Sequence, residues 1–191
     1  MALHDEIAIL DVDGVFANFT EYYLEIVNEV LDTHYTESDI VHYGIDECLG
    51  LTKDEQRRIE AEILGLDFAR NLSVLPGSVE GYRALAKVCT PIFCTSIKKS
   101  NYTWTYDRAA WLDEHLFGSG REVAFTKHKY LVQGRIFVDD MPYHVEKWMK
   151  WNPKGTGVLW KRWYNEGHCP AGATHTNDWD VLKGLMTDGS R

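Results

Sequence analysis

The stretch Ile7-Ala8-Ile9-Leu10-Asp11-Val12-Asp13-Gly14-Val15-Phe16 decides the fold. Residues 7–10 are short, apolar and followed by loop residues, the pattern of a buried strand. Two carboxylates, Asp11 and Asp13, stand where the chain leaves that strand. A buried strand end is a rigid platform, so the pair is held rather than loosely tethered. An Asp-x-Asp-Gly alone is also consistent with a plain turn after a strand, so its meaning depends on what the rest of the chain places beside it.

Working outward, residues 19–31 read as a helix with Tyr23, Ile26, Val27, Val30 and Leu31 on one face. Residues 36–68 are more polar. Within them Thr52-Lys53-Asp54-Glu55 matches a capping box, Ile59, Ile63 and Leu64 follow at helical spacing, and Gly65 is a stop. Leu75-Pro76-Gly77 reads as a turn, with Ser78 as the cap of a helix carrying Val79, Tyr82, Leu85 and Ala86. Further strands are expected at 91–94, 122–125, 135–138 and 157–160. Helices are expected at 107–116, ended by Gly118, and at 178–186. Alternating strands and helices predict an α/β fold, a Rossmann-like core with a mainly parallel sheet flanked by helices. Residues 1–17 and 74–191 would form this core. Residues 18–73 would be a small helical cap inserted after the first strand.

The chain has 191 residues, 45% hydrophobic and 26% charged, with a net charge of −9. That size allows one core with a small appendage, and that charge disfavours broad capture of nucleic acid. No basic n-region with a long apolar run opens the sequence, and no run reaches the ~20 residues of a membrane span. Cys48, Cys89, Cys94 and Cys169 form no CxxC pair, so reduced, mostly buried thiols and a cytoplasmic setting are expected. Whether the chain forms a homodimer stays open at this level.

Ligands of parallel sheets bind at the carboxyl ends of the strands. Asp11 and Asp13, Thr95 and Ser96, Lys127 and Lys129, and Asp139 and Asp140 each follow a different expected strand. All four groups should meet on one sheet edge. A carboxylate nucleophile suits phosphoryl transfer, because a covalent aspartyl-phosphate divides one hard displacement into two easier ones. Its like-charge approach to phosphate needs neutralising, which Mg2+ on hard oxygen donors does. Asp11, Asp139 and Asp140, with the carbonyl of Asp13, are donors of that type. Lys129 would add fixed positive charge, Thr95 would hold a phosphate oxygen, and Asp13 would carry the proton.

These motifs, in this order, resemble the haloacid-dehalogenase-like phosphohydrolase superfamily, and within it the 5'(3')-deoxyribonucleotidase family. Phe93-Cys94-Thr95-Ser96 with the stretch to Trp111, Val123 to Lys129, and Ile136 to Pro142 all resemble family segments at similar spacing. Leu75-Pro76-Gly77 and Asn177-Asp178-Trp179 fit as well, so about two thirds of the chain is covered. The resemblance implies Asp11 as nucleophile, Asp13 as acid/base, Thr95 as phosphate-binding hydroxyl and Lys129, rather than Lys127, as the charge-stabilising lysine. It implies a metal site on Asp11, Asp13, Asp139 and Asp140, without saying which of the last two touches the ion. Phe19 would lie near a nucleobase, and Ser96 and Lys99 in the substrate-phosphate loop.

Three departures stand out. The segment Tyr43-Gly44-Ile45-Asp46-Glu47-Cys48-Leu49 lacks the family's aromatic pair that cradles the base. Ile97-Lys98-Lys99 stands where the family has a proline. Met141-Pro142-Tyr143 replaces a basic and an acidic residue. The expectation is therefore a Mg2+-dependent phosphomonoesterase acting on nucleoside monophosphates, chiefly deoxyribonucleotides. The alternatives are another small phosphate ester, a nucleic-acid 3'-phosphate, or a non-catalytic nucleotide-binding module. His128, His144, His168 and His175 read as surface or packing residues, and Lys161-Arg162-Trp163-Tyr164 as a solvated edge. The aromatics after residue 100 read mostly as core, with one or two of Tyr102, Trp104 and Tyr106 as candidates to face the site.

Overall fold

The computed structural model describes residues 6–65, 67–98, 101–116 and 123–187. Its centre is a six-stranded, all-parallel sheet in the order β3-β2-β1-β4-β5-β6. The strands are β1 (Ile7–Leu10), β2 (Thr90–Thr95), β3 (Val123–Phe125), β4 (Ile136–Asp139), β5 (Thr156–Trp160) and β6 (Thr174–Thr176). Strand order reverses between β1 and β4, so the crevice at their carboxyl ends is the topological switch point of an open parallel sheet. Register brings Leu10 beside both Phe93 and Val138, and the Asp11 N–H donates to the Val138 carbonyl at 2.8 Å. Asp11 thus leaves the sheet between its two neighbours.

Side chains alternate between the sheet faces. Ala8, Leu10, Phe93, Ile136 and Val138 pack into the larger core, while Ile9, Cys94, Phe137 and Leu159 form the smaller one. The larger core is organised around Phe16, whose ring meets Tyr82, Phe93 and Trp111 edge-on at 5.4–6.3 Å. On the other face, Trp148 stacks on Phe137 at 5.3 Å. The helices are α1 (Phe19–Leu31), α2 (Ile45–Cys48), α3 (Lys53–Gly65), α4 (Ser78–Leu85), α5 (Trp104–Leu116), α6 (Pro142–Trp151) and α7 (Trp179–Thr187).

Helices α1 to α3 lie between β1 and α4 in the chain. The chain leaves for them and returns along one paired strip: Ala17 bridges Val74 antiparallel, and Asn18 N–H donates to Ser73 O at 2.8 Å. The capping box of α3 forms as expected, with Thr52 N–H on Glu55 Oε2 at 2.8 Å and Glu55 N–H on Thr52 Oγ1 at 3.3 Å.

Several expectations are corrected. Ser78 does not cap α4; Gly77 does, at φ +78°, and Ser78 Oγ instead donates to Val15 O at 3.3 Å. Helix α5 begins at Trp104 rather than Asp107, because Asn101 Oδ1 accepts the Thr103 N–H at 3.0 Å and starts the turn early. Helix α6 and strand β6 have no counterpart in the sequence reading. Gly118 and Glu122 lie outside the described residues. All four cysteines are free, Cys89 and Cys94 buried and Cys48 and Cys169 half-buried. No described helix is long and apolar enough to cross a membrane.

Candidate active site

At the switch point four side chains lock together. Lys129, only 3% exposed, sits in the short turn Lys129–Leu131 after β3. Its Nζ lies 2.7 Å from Asp11 Oδ2 and 2.8 Å from Asp139 Oδ2. Asp11 Oδ1 accepts the Val12 N–H at 2.8 Å. Asp139 is saturated: Met141 N–H donates to Oδ1 at 2.9 Å, and His144 Nδ1 lies 3.1–3.2 Å from both oxygens. Asp140 Oδ2 accepts the Tyr164 hydroxyl, and Asn165 Nδ2 donates to the Asp140 carbonyl at 2.8 Å. Gly14 lets these pieces approach. It holds φ +75°, and a Cβ there would lie 2.1 Å from Asp140 Oδ2, which only glycine avoids.

Burial without enough positive charge governs the electrostatics. Burial pushes the Asp11 carboxyl up to about 7; Lys129 opposes the rise, and Asp139 and Asp13 add to it. Burial, then Asp139 and Asp11, push Asp140 well above the usual carboxylate range. Asp139 is equally buried, but Lys129 and His144 outweigh that and hold it low. Burial also works against the Lys129 ammonium, yet Asp11 and Asp139 raise it above its ordinary value. Oxygens of Asp11, Asp139 and Asp140 all lie within 4.8 Å of one another. Three buried carboxylates this close, two of them paired to Lys129, are of the chemistry that suits a hard divalent cation.

Asp13 points elsewhere. Its Oδ1 accepts from Arg108 Nη2 at 2.8 Å, and the Arg108 side chain is fully buried while Asp13 is 28% exposed. The guanidinium lies 5.2 Å from the Trp104 ring centre and 5.8 Å from that of Trp111. Asp13, Asp11, Lys129 and Asp140 open onto one cleft of about 370 Å³. Its other walls come from Phe19, Thr20 and Tyr23 on α1, from Ile40 and residues 42–46, and from Tyr164.

Of the residues expected from sequence, Asp11, Asp13, Thr95, Ser96, Phe19, Lys129 and Asp140 all line this cleft. Thr95 is 1% exposed at the end of β2. Asp139 lies just behind the wall, and Lys127 is exposed. Lys99 lies outside the described residues. Two readings are overturned. His144 is neither surface nor packing filler: it lines the cleft and contacts Asp139. Tyr164 is not part of a solvated edge but is buried on Asp140, while Trp163 stays exposed and its Nε1 donates to Ile40 O at 2.9 Å. None of Tyr102, Trp104 and Tyr106 lines the cleft; Trp104 instead stacks on Phe68 with 5.7 Å between ring centres. Arg108, His144, Tyr164 and Asp46 went unrecognised, and only the position of Arg108 in the stretch after Thr95 carried any hint.

Residues 5–185 match the family model for "5' nucleotidase, deoxy (Pyrimidine), cytosolic type C protein". Among curated proteins, the chain is 27% identical over 146 residues to a protein of Bordetella pertussis named "Putative 5'(3')-deoxyribonucleotidase", covering 70% of this chain and 73% of the relative. A protein of the same name from Bordetella bronchiseptica is 27% identical over 143 residues, with the same coverage. Among solved structures, a haloacid dehalogenase-like hydrolase from Streptococcus pneumoniae superposes with a TM-score of 0.62 at 10% identity, over 93% of this chain and 96% of that one. A haloacid dehalogenase-like family hydrolase from Xanthomonas campestris does so with 0.58 at 12%, over 98% of both chains. At those identities the structures speak for the fold.

Proposed function

Because the chain belongs to the cytosolic type C deoxy 5'-nucleotidase family, and so to the haloacid-dehalogenase-like phosphatases, we propose that it hydrolyses deoxyribonucleoside monophosphates with the help of Mg2+. The observation that carries this reading is the buried Asp11–Lys129–Asp139 chain at the switch point, with Asp13 and Asp140 opening onto the same cleft.

Asp11 attacks phosphorus, the bond to the leaving oxygen breaks, and Asp13 gives that oxygen its proton. Water then attacks the aspartyl-phosphate, Asp13 takes the water's proton, and phosphate departs with Asp11 restored. Lys129 keeps positive charge on the nucleophile throughout, since Asp11 and Asp139 both stabilise its ammonium. Thr95 and Ser96 hold phosphate oxygens from the end of β2. Arg108 orients Asp13. Asp140, rather than the saturated Asp139, offers the free carboxylate oxygen to the metal together with Asp11 and the Asp13 carbonyl, while Asp139 positions Lys129. Magnesium bound there supplies the positive charge that lets a carboxylate approach an anionic phosphate.

Residues 18–73 act as a cap in this reading, hinged at the paired strip of Ala17 and Val74 and excluding water while the first step runs. The test is a panel of phosphate esters with magnesium. Faster release from deoxyribonucleoside monophosphates than from sugar phosphates is expected. The reverse order overturns the nucleotidase reading while leaving the phosphatase chemistry in place.

A further inference from the structure

One turn of the chain, Trp163–Asn165 shortly after β5, touches both the cap and the metal-side carboxylate. Asn165 fixes this turn to the sheet. Its Nδ2 donates to the Asp140 carbonyl at 2.8 Å and to the Trp160 carbonyl at 2.9 Å, and its Oδ1 accepts the Arg162 N–H at 3.0 Å. Trp163 ties the turn to the cap, its Nε1 donating to Ile40 O at 2.9 Å. Tyr164 does both. Its buried ring fills a small core whose other described members all belong to residues 18–73: Leu24 and Ile40, with Tyr35, Ile45, Cys48 and Leu49 around them. Its hydroxyl donates to Asp140 Oδ2. Gly14 closes in on the same contact, since a Cβ there would lie 2.9 Å from the Tyr164 oxygen. A residue from outside the cap thus completes the cap's own small core, and its hydroxyl holds the carboxylate.

We infer that Tyr164 is a positioning residue that links cap docking to metal binding: while its ring is seated in the cap, its hydroxyl holds Asp140 in the orientation that receives Mg2+. This rests on the magnesium-dependent phosphatase reading above and adds how the site is made ready. A carboxylate with one oxygen fixed by a donor has lost most of its freedom to turn, so a cation binding there pays less ordering entropy. When the cap lifts, the ring loses its apolar surroundings, the hydroxyl turns to water, and Asp140 is left unheld. The link works in both directions. A docked cap that tightens Mg2+ binding is itself held down by Mg2+ by the same factor. Partners that orient a metal-binding side chain are worth about 10- to 100-fold in metal affinity, which sets the size of the factor. The ion then favours the closed site, from which water is excluded.

Two measurements on the whole protein read the link, and neither is activity. Calorimetric titration gives the Mg2+ affinity. Hydrogen exchange of residues 36–49 gives cap docking, through amides such as Ile40, bonded to Glu37 O at 3.1 Å, and Leu49, bonded to Ile45 O at 3.0 Å. In the wild type, saturating Mg2+ should slow that exchange roughly 10- to 100-fold. Tyr164→Phe keeps the ring in the cap core and removes only the hydroxyl. Its Mg2+ affinity should fall by roughly 10- to 100-fold, and the slowing at saturating Mg2+ should shrink to less than about threefold. A residue that merely packed the fold would speed exchange with and without Mg2+ alike and leave the response to the ion unchanged. The inference is overturned if Tyr164→Phe keeps the wild-type affinity or the wild-type slowing. Wild-type protein that binds no Mg2+ refutes the magnesium reading and this inference with it, whereas Mg2+ binding that leaves wild-type exchange unchanged refutes the inference alone.

Discussion

Replacing Arg108 with Met tests the division of labour between Asp11 and Asp13. The guanidinium is wholly buried, gives one 2.8 Å charge-assisted bond to Asp13, and leaves Nε and Nη1 without hydrogen-bond partners among the described residues. Methionine fills much of the same space between Trp104 and Trp111 and removes those two unpaired donors. Asp13 remains 28% exposed, so water can take over its lost contact. Stability should therefore change by no more than about 1–2 kcal/mol. Catalysis should change more. A hydrogen bond to a charged group is worth about 1.5–3 kcal/mol, and loss of that much orientation in the first step slows it by roughly 10- to 150-fold. The loss should depend on the leaving group. On the proposed mechanism a deoxynucleoside leaves as a poor alkoxide that needs the proton of Asp13, whereas p-nitrophenolate leaves without one. kcat/KM, which reports the first irreversible step, should fall by the full factor for the nucleotide and by less than about threefold for p-nitrophenyl phosphate. Arg108→Lys should recover part of the nucleotide rate. Equal losses for both substrates would show that Arg108 supports the fold or the whole site, and no loss would show that Asp13 needs no such partner.

Asp11→Asn should abolish turnover while the protein stays folded, as circular dichroism would show; retained activity would exclude the covalent route. In metal-free wild-type protein, Asp11 is raised to about 7 and keeps a proton that the unfolded chain sheds near 4. The contribution of Asp11 to stability should then be greatest below pH 4, fall as pH rises to about 7, and level off above, so the difference in stability between wild type and Asp11→Asn should follow that slope in denaturant titrations. Magnesium should raise the melting temperature of the wild type, by the equivalent of roughly 2.7 kcal/mol at a hundred times its Kd, and should do so far less in Asp140→Asn; an unchanged response would remove Asp140 from the metal site. Gly14→Ala puts a methyl group 2.1 Å from Asp140 Oδ2 at a positive φ, and should cost most of the phosphatase activity even where the protein remains folded.

Much of this was legible because the chemistry is written at strand ends. Residues 7–13 carry a strand and its acids in one word, and Phe93 to Ser96 and Ile136 to Asp140 repeat that grammar. Parallel order then forces the three words onto one edge. What escaped lies where local pattern is weak. Strand β6 is Thr-His-Thr, three half-buried polar residues on the sheet edge, held by pairing to β5 rather than by its own hydrophobicity. Helix α6 opens on Pro142 at its first turn, a position proline suits, yet a Pro beside two aspartates reads first as loop. Arg108, Tyr164 and His144 are single polar residues that acquire meaning only through packing. Tyr164 reaches Asp140 because Trp163 and Tyr164 dock against Ile40, a contact spanning over a hundred residues of chain that no local spacing encodes.

These same residues explain the charge state of the site. Four carboxylates, Asp11, Asp13, Asp139 and Asp140, face two permanent cations, Lys129 and Arg108. The cations are distributed unevenly. Arg108 serves Asp13 alone, and Lys129 is divided between Asp11 and Asp139. His144 adds a third contact to Asp139 only. Asp139 is thereby held ionised, while Asp11 and Asp140 are left short of positive charge and drawn toward protonation. The shortfall falls on Asp11 and Asp140, two of the three members of this set that line the cleft, and it amounts to the charge of one divalent cation. A divalent cation bound there would compete with protons for the same oxygens. A nucleophile that is protonated when the metal is absent and released when it binds would couple readiness to attack to the presence of the charge that phosphate requires.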